Sequence, residues 1–270
     1  MDSMKPVEPM QRIALLVEYD GTGLCGWQRQ INGPSVQQEL EESLARIESC
    51  DVRTVAAGRT DAGVHADAML VHADVKASRY AASPMAYVYG VNQRLPGQIR
   101  VRATRAVPPD FHARFDCRER AYRYQIWNRR TASAIERWRH WWMPRPLNIA
   151  AMQQASEYLL GCHDFSSLRA SGCQAASPVR EMRAISIERS GCCISIRVRA
   201  EAFFYHMVRN MAGSLVQVGT GRWAPEKMQE ILALRDRSQA ATMAPAHGLY
   251  FSDAVYDDFS ALDLSNDDQV

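Results

Sequence analysis

GRTDAGVHADAMLVHAD, residues 58–74, holds the tetrapeptide Val-His-Ala-Asp twice, at 64–67 and 71–74, with Asp61 three residues before the first copy. Residues 52–57 before it and 68–75 within it both read as strands, so 58–63 is a strand-to-strand loop with glycine at each end. Outward from that loop, residues 12–19 (RIALLVEY) alternate as a strand with Ile13, Leu15, Val17 and Tyr19 on one face. Ser35 is a helix cap with Gln38 at the reciprocal capping-box position. Val36, Leu40, Leu44 and Ile47 follow as one apolar stripe. A helix over 84–94 stops before Pro96-Gly97, and 99–107 is a further strand. The order is β-α-β-β-α-β.

The second half repeats that order without repeating its sequence. Residues 121–128 read as a strand. Asn148 caps a helix bearing Ile149, Met152, Ala155 and Leu159, stopped by Gly161. Residues 179–189 and 193–200 form a hairpin around Gly191. An amphipathic helix covers 205–218, another starts near Pro225, and 249–256 closes as a strand. The fold expected is α+β: two ferredoxin-like (split β-α-β) halves joined through a largely antiparallel sheet, with a catalytic cleft at their junction. The expected divisions are a flexible leader at 1–11, an N-terminal half at 12–110 and a C-terminal half at 111–256. An acidic tail covers 257–270.

Composition narrows the partners. No apolar run reaches the roughly 18 residues of a membrane helix, and the start of the chain has no apolar signal core. Seven cysteines, an odd number without a CxxC pair, argue against a zinc ribbon or a disulfide framework and fit reduced thiols in a cytoplasm. Net charge is only +2, yet residues 100–145 carry twelve arginines, no lysine and four acidic residues, a local +8. Arginine forks suit phosphates, and Tyr122, Tyr124 and Trp127 lie among them, a composition suited to nucleic acid. Residues 257–270 carry five aspartates and no basic residue, which reads as a disordered tail repelled by RNA.

Two chemistries fit the opening stretch. His65, Asp67, His72 and Asp74 have the atom types of a metal site, but a strand carrying His72 and Asp74 on one face is also an ordinary hydrogen-bonded strand. Asp61 is either a turn residue accepting backbone amides or a carboxylate offered to a substrate by small neighbours. A nearby arginine would keep it ionised.

The motif GRTDAGVHA at 58–66 resembles the signature of the tRNA pseudouridine synthase A family. EYDG at 18–21, GWQRQ at 26–30, DFHARF at 110–115, RAYRY at 120–124, HMVRN at 206–210 and APAHGLY at 244–250 agree in order and spacing. The resemblance covers about residues 12–256. It implies an isomerase converting uridine to pseudouridine at positions 38, 39 and 40 of the tRNA anticodon arm. It implies no organic cofactor and no metal, and a cytoplasmic homodimer with tRNA as partner. It makes Asp61 the nucleophile or base at the ribose and Arg209 its pairing arginine. Tyr122 becomes the ring stacked on the flipped uracil, and Arg59 an RNA-backbone contact. Phe111, His112, Ala113, Arg114 and Phe115 correspond to an RNA-contacting loop. A second contact falls at 172–176, where only Cys173 and Gln174 keep the family pattern; Arg169 or Arg180 is a candidate substitute. A metal-dependent nucleic-acid hydrolase and a non-catalytic RNA-binding module are the rival readings.

Overall fold

A computed structural model describes residues 8–170, 172 and 177–266. The chain divides into two compact units, Met1–Cys117 with Asp253–Val270, and Arg118–Ser252. Strand β10, Leu249–Val255, spans the second division between them.

The first unit contains β1 (Met10–Tyr19), α1 (Val36–Glu48), β2 (Thr54–Ala56), β3 (His65–Lys76), α2 (Ala77–Ala82), α3 (Tyr89–Asn92) and β4 (Ile99–Ala106). Its strands run β4-β1-β3-β2, and every pair is antiparallel. The expected strand at 12–19 is present but not half-solvated. Ile13, Ala14, Leu15, Leu16 and Val17 are all fully buried, so the apparent alternation concealed a strand covered on both faces.

Ser35 does cap α1: its side chain accepts the Gln38 N–H. The reciprocal half of the capping box is absent, because the Gln38 amide instead donates to Glu42 Oε1. Two carboxylates on this helix are buried rather than solvated. Glu41 Oε1 accepts both the N–H and the hydroxyl of Thr54, fixing β2. Glu48 accepts the Lys76 N–H at the end of β3 and the Tyr87 hydroxyl. Charged acceptors meeting buried donors offset their own desolvation.

The single helix expected at 84–94 is split. Pro84–Tyr87 is a 3₁₀ turn and α3 begins after Val88. Asn92 ends it by bonding both backbone groups of Val101, an arrangement that competes with helix continuation.

The second unit contains β5 (Glu119–Asn128), β6 (Trp141–Met143), α4 (Ile149–Glu157), β7 (Gly161–Asp164), β8 (Val179–Ser190), β9 (Cys193–Ala200), α5 (Met207–Gly219) and α6 (Lys227–Leu234). Antiparallel pairs run β5-β9-β8-β7, and the short β6 adds parallel to β5. Asn148 caps α4 as expected, accepting the Ala151 N–H. Helix α5 is the core of this unit: twelve of its thirteen residues are buried.

The unit limits differ from the expected ones for identifiable reasons. Strand β1 starts at Met10, inside the expected leader, and the Ala77 N–H bonds Pro9 O. Residues 111–117 belong to the first unit because side chains of β1 and β3 bind their backbone. The acidic segment through Asn266 also belongs there, and it is not a solvated tail. Ala261 and Leu264 are buried, Ala261 N–H bonds Ala254 O, and α7 (Asp263–Asn266) closes the segment.

Candidate active site

The loop carrying Asp61 is built from backbone contacts that only glycine permits. Val64 N–H bonds Asp61 O across a turn whose third residue, Gly63, has φ 77°. Gly26, at φ 87°, lies under the loop: a Cβ there would sit 2.4 Å from Thr60 O and 2.8 Å from the Asp61 carbonyl carbon. A Cβ at Gly21 would lie closer still, 2.1 Å from Val64 O. Trp27 N–H bonds Thr60 O, Gly63 N–H bonds Leu24 O, and the Tyr19 hydroxyl lies 2.7 Å from Thr60 Oγ1. The segments EYDG and GWQRQ are therefore the cradle of the Asp61 turn. Asp61 is half-buried and Arg59 exposed at its edge.

The two histidines of the repeat share one task. His65 Nδ1 accepts the Gly21 N–H at 3.0 Å, and His72 Nδ1 accepts the Ala113 N–H at 3.0 Å. Asp20 Oδ1 is 3.1 Å from His65 Nδ1, a geometry suited to an ion pair only if that nitrogen carried a proton. We assign it as the acceptor, because the buried Gly21 amide points to it and Asp20 Oδ1 already accepts the Thr22 N–H. Asp74 grips Arg12 with both oxygens at 2.8 Å. Asp74 is the hydrogen-bonded strand residue expected, paired with Arg12 directly opposite on β1, whereas His72 reaches beyond the sheet to hold the 111–115 segment. Among the described residues no group of three His, Cys, Asp or Glu side chains is placed to hold a metal. Burial, with Arg12 and His112 beside it, depresses the His72 pKa to about 4 and keeps its acceptor nitrogen open.

The 111–115 segment divides by residue. Phe111 and Ala113 are core, with the Phe111 ring 5.1 Å from Tyr256 and 5.9 Å from Phe259. His112 is half-buried and Arg114 exposed. Phe115 is 73% exposed and stacks on His112 at 4.2 Å. Of the two phenylalanines in this segment, only Phe111 belongs to the core.

The second unit carries the other two residues. Tyr122 on β5 is buried, its ring edge-on to Phe203 at 5.0 Å and Phe251 at 5.2 Å. Arg209 sits in the first turn of α5, only 9% exposed. Its Nε donates to Ala244 O at 2.9 Å while its own carbonyl accepts the Ala244 N–H. The APAHGLY segment is thereby stitched to α5. Tyr124 donates to Pro245 O, and burial raises its pKa well above the usual phenol value. Gly248 lets the segment close on Tyr124, since a Cβ would lie 2.7 Å from the ring. His206, just before α5, adopts φ 64° and stacks on Tyr205 at 3.7 Å. Cys173 and Gln174 lie outside the described residues. Of the candidate substitutes, Arg180 lies 4.1 Å and Arg169 5.9 Å from the Phe204 ring centre.

Residues 155–257 match a family model described as tRNA pseudouridine synthase. A tRNA pseudouridine synthase A of Rhodospirillum centenum is 48% identical over 248 residues, 92% of this chain and all of that relative. This chain belongs to the tRNA pseudouridine synthase A family. Relatives of the same name from Rhodospirillum rubrum and Methylobacillus flagellatus are each 45% identical, over 90% and 91% of this chain and 86% and 93% of their own lengths. A solved Cbf5-Nop10-Gar1 complex is similar over 76% of this chain and 45% of that chain, at 13% identity and a TM-score of 0.34, a score too low to carry any argument about fold. The family's motif residues fall in two groups here: Arg59 and Asp61 on the first unit, Tyr122 and Arg209 on the second.

Proposed function

We propose that this member of the family isomerises uridine to pseudouridine at positions 38, 39 and 40 of the tRNA anticodon arm, with Asp61 acting at the ribose. The C1′–N1 bond breaks, the uracil turns, and C5 bonds to C1′. C5 loses its proton and N1 gains one, so composition is unchanged and no redox partner is required. The observation that carries this reading is the Asp61 turn. Two glycines let neighbouring backbone close on it, leaving a carboxylate on a fixed, small-residue surface, as a nucleophile or base at a ribose requires.

Arg209 is a buried cation in the first turn of α5 with its Nε held by Ala244 O, and a guanidinium so fixed suits an anionic partner. In this proposal that partner is Asp61, and Tyr122 stacks on the uracil after it leaves the helical stack. Two ferredoxin-like halves are part of this reading. The antiparallel order β4-β1-β3-β2 supports that description of the first half. Arg59 contacts the RNA backbone, and His112, Arg114 and Phe115 contact RNA on the exposed side of their loop. The enzyme works in the cytoplasm as a homodimer. No helix among the described residues is long and apolar enough to cross a membrane.

Incubation with an unmodified tRNA transcript and mapping of pseudouridine tests the reading, with EDTA in a parallel reaction. Product at 38–40 in both reactions is expected. Loss of activity in EDTA, restored by zinc or manganese, would favour the hydrolase reading of the histidine–aspartate repeat instead.

A further inference from the structure

Beneath the exposed part of the 111–115 loop, three side chains bind its backbone, and a fourth holds one of them. Arg12 Nη1 donates to Phe111 O at 3.0 Å, and the Nε and Nη2 of the same guanidinium are held by Asp74. His72 Nδ1 accepts the Ala113 N–H at 3.0 Å. The Tyr256 hydroxyl donates to Ala113 O at 2.7 Å. Three backbone polar groups within three residues are thus satisfied by side chains from β1, β3 and the segment after β10. All lie within the first unit. A loop normally leaves such groups to water; here they are pinned.

The pinned residues determine what the next ones do. With Phe111 and Ala113 turned into the core, His112 Nδ1 accepts the amides of Arg114 at 3.2 Å and Phe115 at 3.1 Å. That folds the chain back so that Phe115 stacks on His112, with the Arg114 guanidinium 5.8 Å from the Phe115 ring centre. One face of a ring that is 73% exposed is backed by imidazole, and a cation stands beside it. Such a platform suits an unpaired base next to its phosphate.

We propose that Arg12, His72, Asp74 and Tyr256 are positioning residues that fix the Phe115 platform for RNA, acting through Phe111 O and both backbone groups of Ala113. This rests on the reading of the 111–115 loop as an RNA contact. The histidine and aspartate of the second Val-His-Ala-Asp copy then act on RNA binding at one remove, without touching RNA.

The test uses the full chain and an unmodified tRNA transcript, measuring kcat and KM, with Kd from filter binding. His72→Ala deletes the acceptor, and His72→Asn puts an amide oxygen near the place of Nδ1. Tyr256→Phe removes only the hydroxyl. His72→Ala and Tyr256→Phe are each expected to raise KM and Kd about tenfold, the usual scale for one lost buried hydrogen bond, with kcat within about twofold. His72→Asn should recover most of the loss. Phe115→Ala should raise KM similarly, and the His72→Ala/Phe115→Ala double variant should be no worse than the worse single variant. Unchanged KM and Kd in both His72→Ala and Tyr256→Phe, or a double variant whose losses multiply, overturns the proposal. If His72→Ala does not fold, Tyr256→Phe decides by the same readouts. A wild-type protein that binds the transcript without forming pseudouridine would sink the catalytic reading, while Kd would still decide on the clamp.

Discussion

Replacing Gly26 by alanine should damage catalysis far more than folding, and the structure sets the scale. The added Cβ would lie 2.4 Å from Thr60 O, 2.8 Å from the Asp61 carbonyl carbon and 3.0 Å from Ala62 N. An ordinary contact begins near 3.4 Å, so the turn must retreat by about 1 Å at its closest point. All three atoms are backbone, so no side-chain rotation relieves the clash. The Trp27–Thr60 hydrogen bond lies across the same gap and must stretch with it. A displacement of about 1 Å in a reacting group can reduce turnover on the order of 100-fold. The φ of 87° adds about 1–2 kcal/mol of backbone strain for any residue with a Cβ. That strain alone lowers Tm by several degrees. Gly23 is the internal control. It has φ 77° but nothing within 4 Å of the added Cβ, so Gly23→Ala should incur the strain and leave turnover within about twofold. The assay is single-turnover pseudouridine formation on a tRNA transcript at a temperature well below either Tm. If folded Gly26→Ala keeps turnover within about threefold of the wild type, the Asp61 turn is not positioned in the way argued.

Three further outcomes follow from the same geometry. His72 titrates near 4 when folded but near 6.5 when unfolded, so the unfolded chain binds the proton first as pH falls. Stability should therefore drop between pH 6.5 and 4, by on the order of 2 kcal/mol after discounting for partial solvation, and His72→Asn should lack that component in urea titrations. Tyr122→Phe should keep tRNA affinity but slow the chemical step. Tyr122→Ala should weaken both and also lose stability, since the ring fills the space between Phe203 and Phe251; full activity in the alanine variant would rule out stacking. Affinity for tRNA should fall linearly on a log–log plot against salt, and a flat profile would remove the phosphate contacts expected of the arginine-rich segment.

Most strands and the longer helices were legible because their apolar period and caps are local signals. Ser35 and Asn148 cap the helices expected of them. What escaped the sequence depends on distant partners. Glu41 and Glu48 look like solvated helix residues until Thr54, Lys76 and Tyr87 arrive beside them. The acidic segment after residue 256 looks like a tail because its charge is visible, whereas the packing of Ala261 and Leu264 is not. Of the site, the Asp61 loop could be found from its bounding glycines and its resemblance to the family. The functions of Gly21 and Gly26 could not, since a glycine's closeness to another loop leaves no local trace. The repeated Val-His-Ala-Asp suggested a metal by atom type. Its histidines instead accept single backbone amides, His65 from Gly21 and His72 from Ala113, a pairing visible only once residues 44 and 41 positions apart are brought together.

The most direct test of the central claim compares wild type and Asp61→Asn on one unmodified tRNA transcript, mapping pseudouridine and measuring binding in parallel. The substitution keeps the size of the side chain and removes its charge and basicity. Pseudouridine is expected at positions 38–40 with the wild type and none with Asp61→Asn, with affinities within a few-fold of each other. Pseudouridine formed by Asp61→Asn at a rate near that of the wild type would contradict the claim.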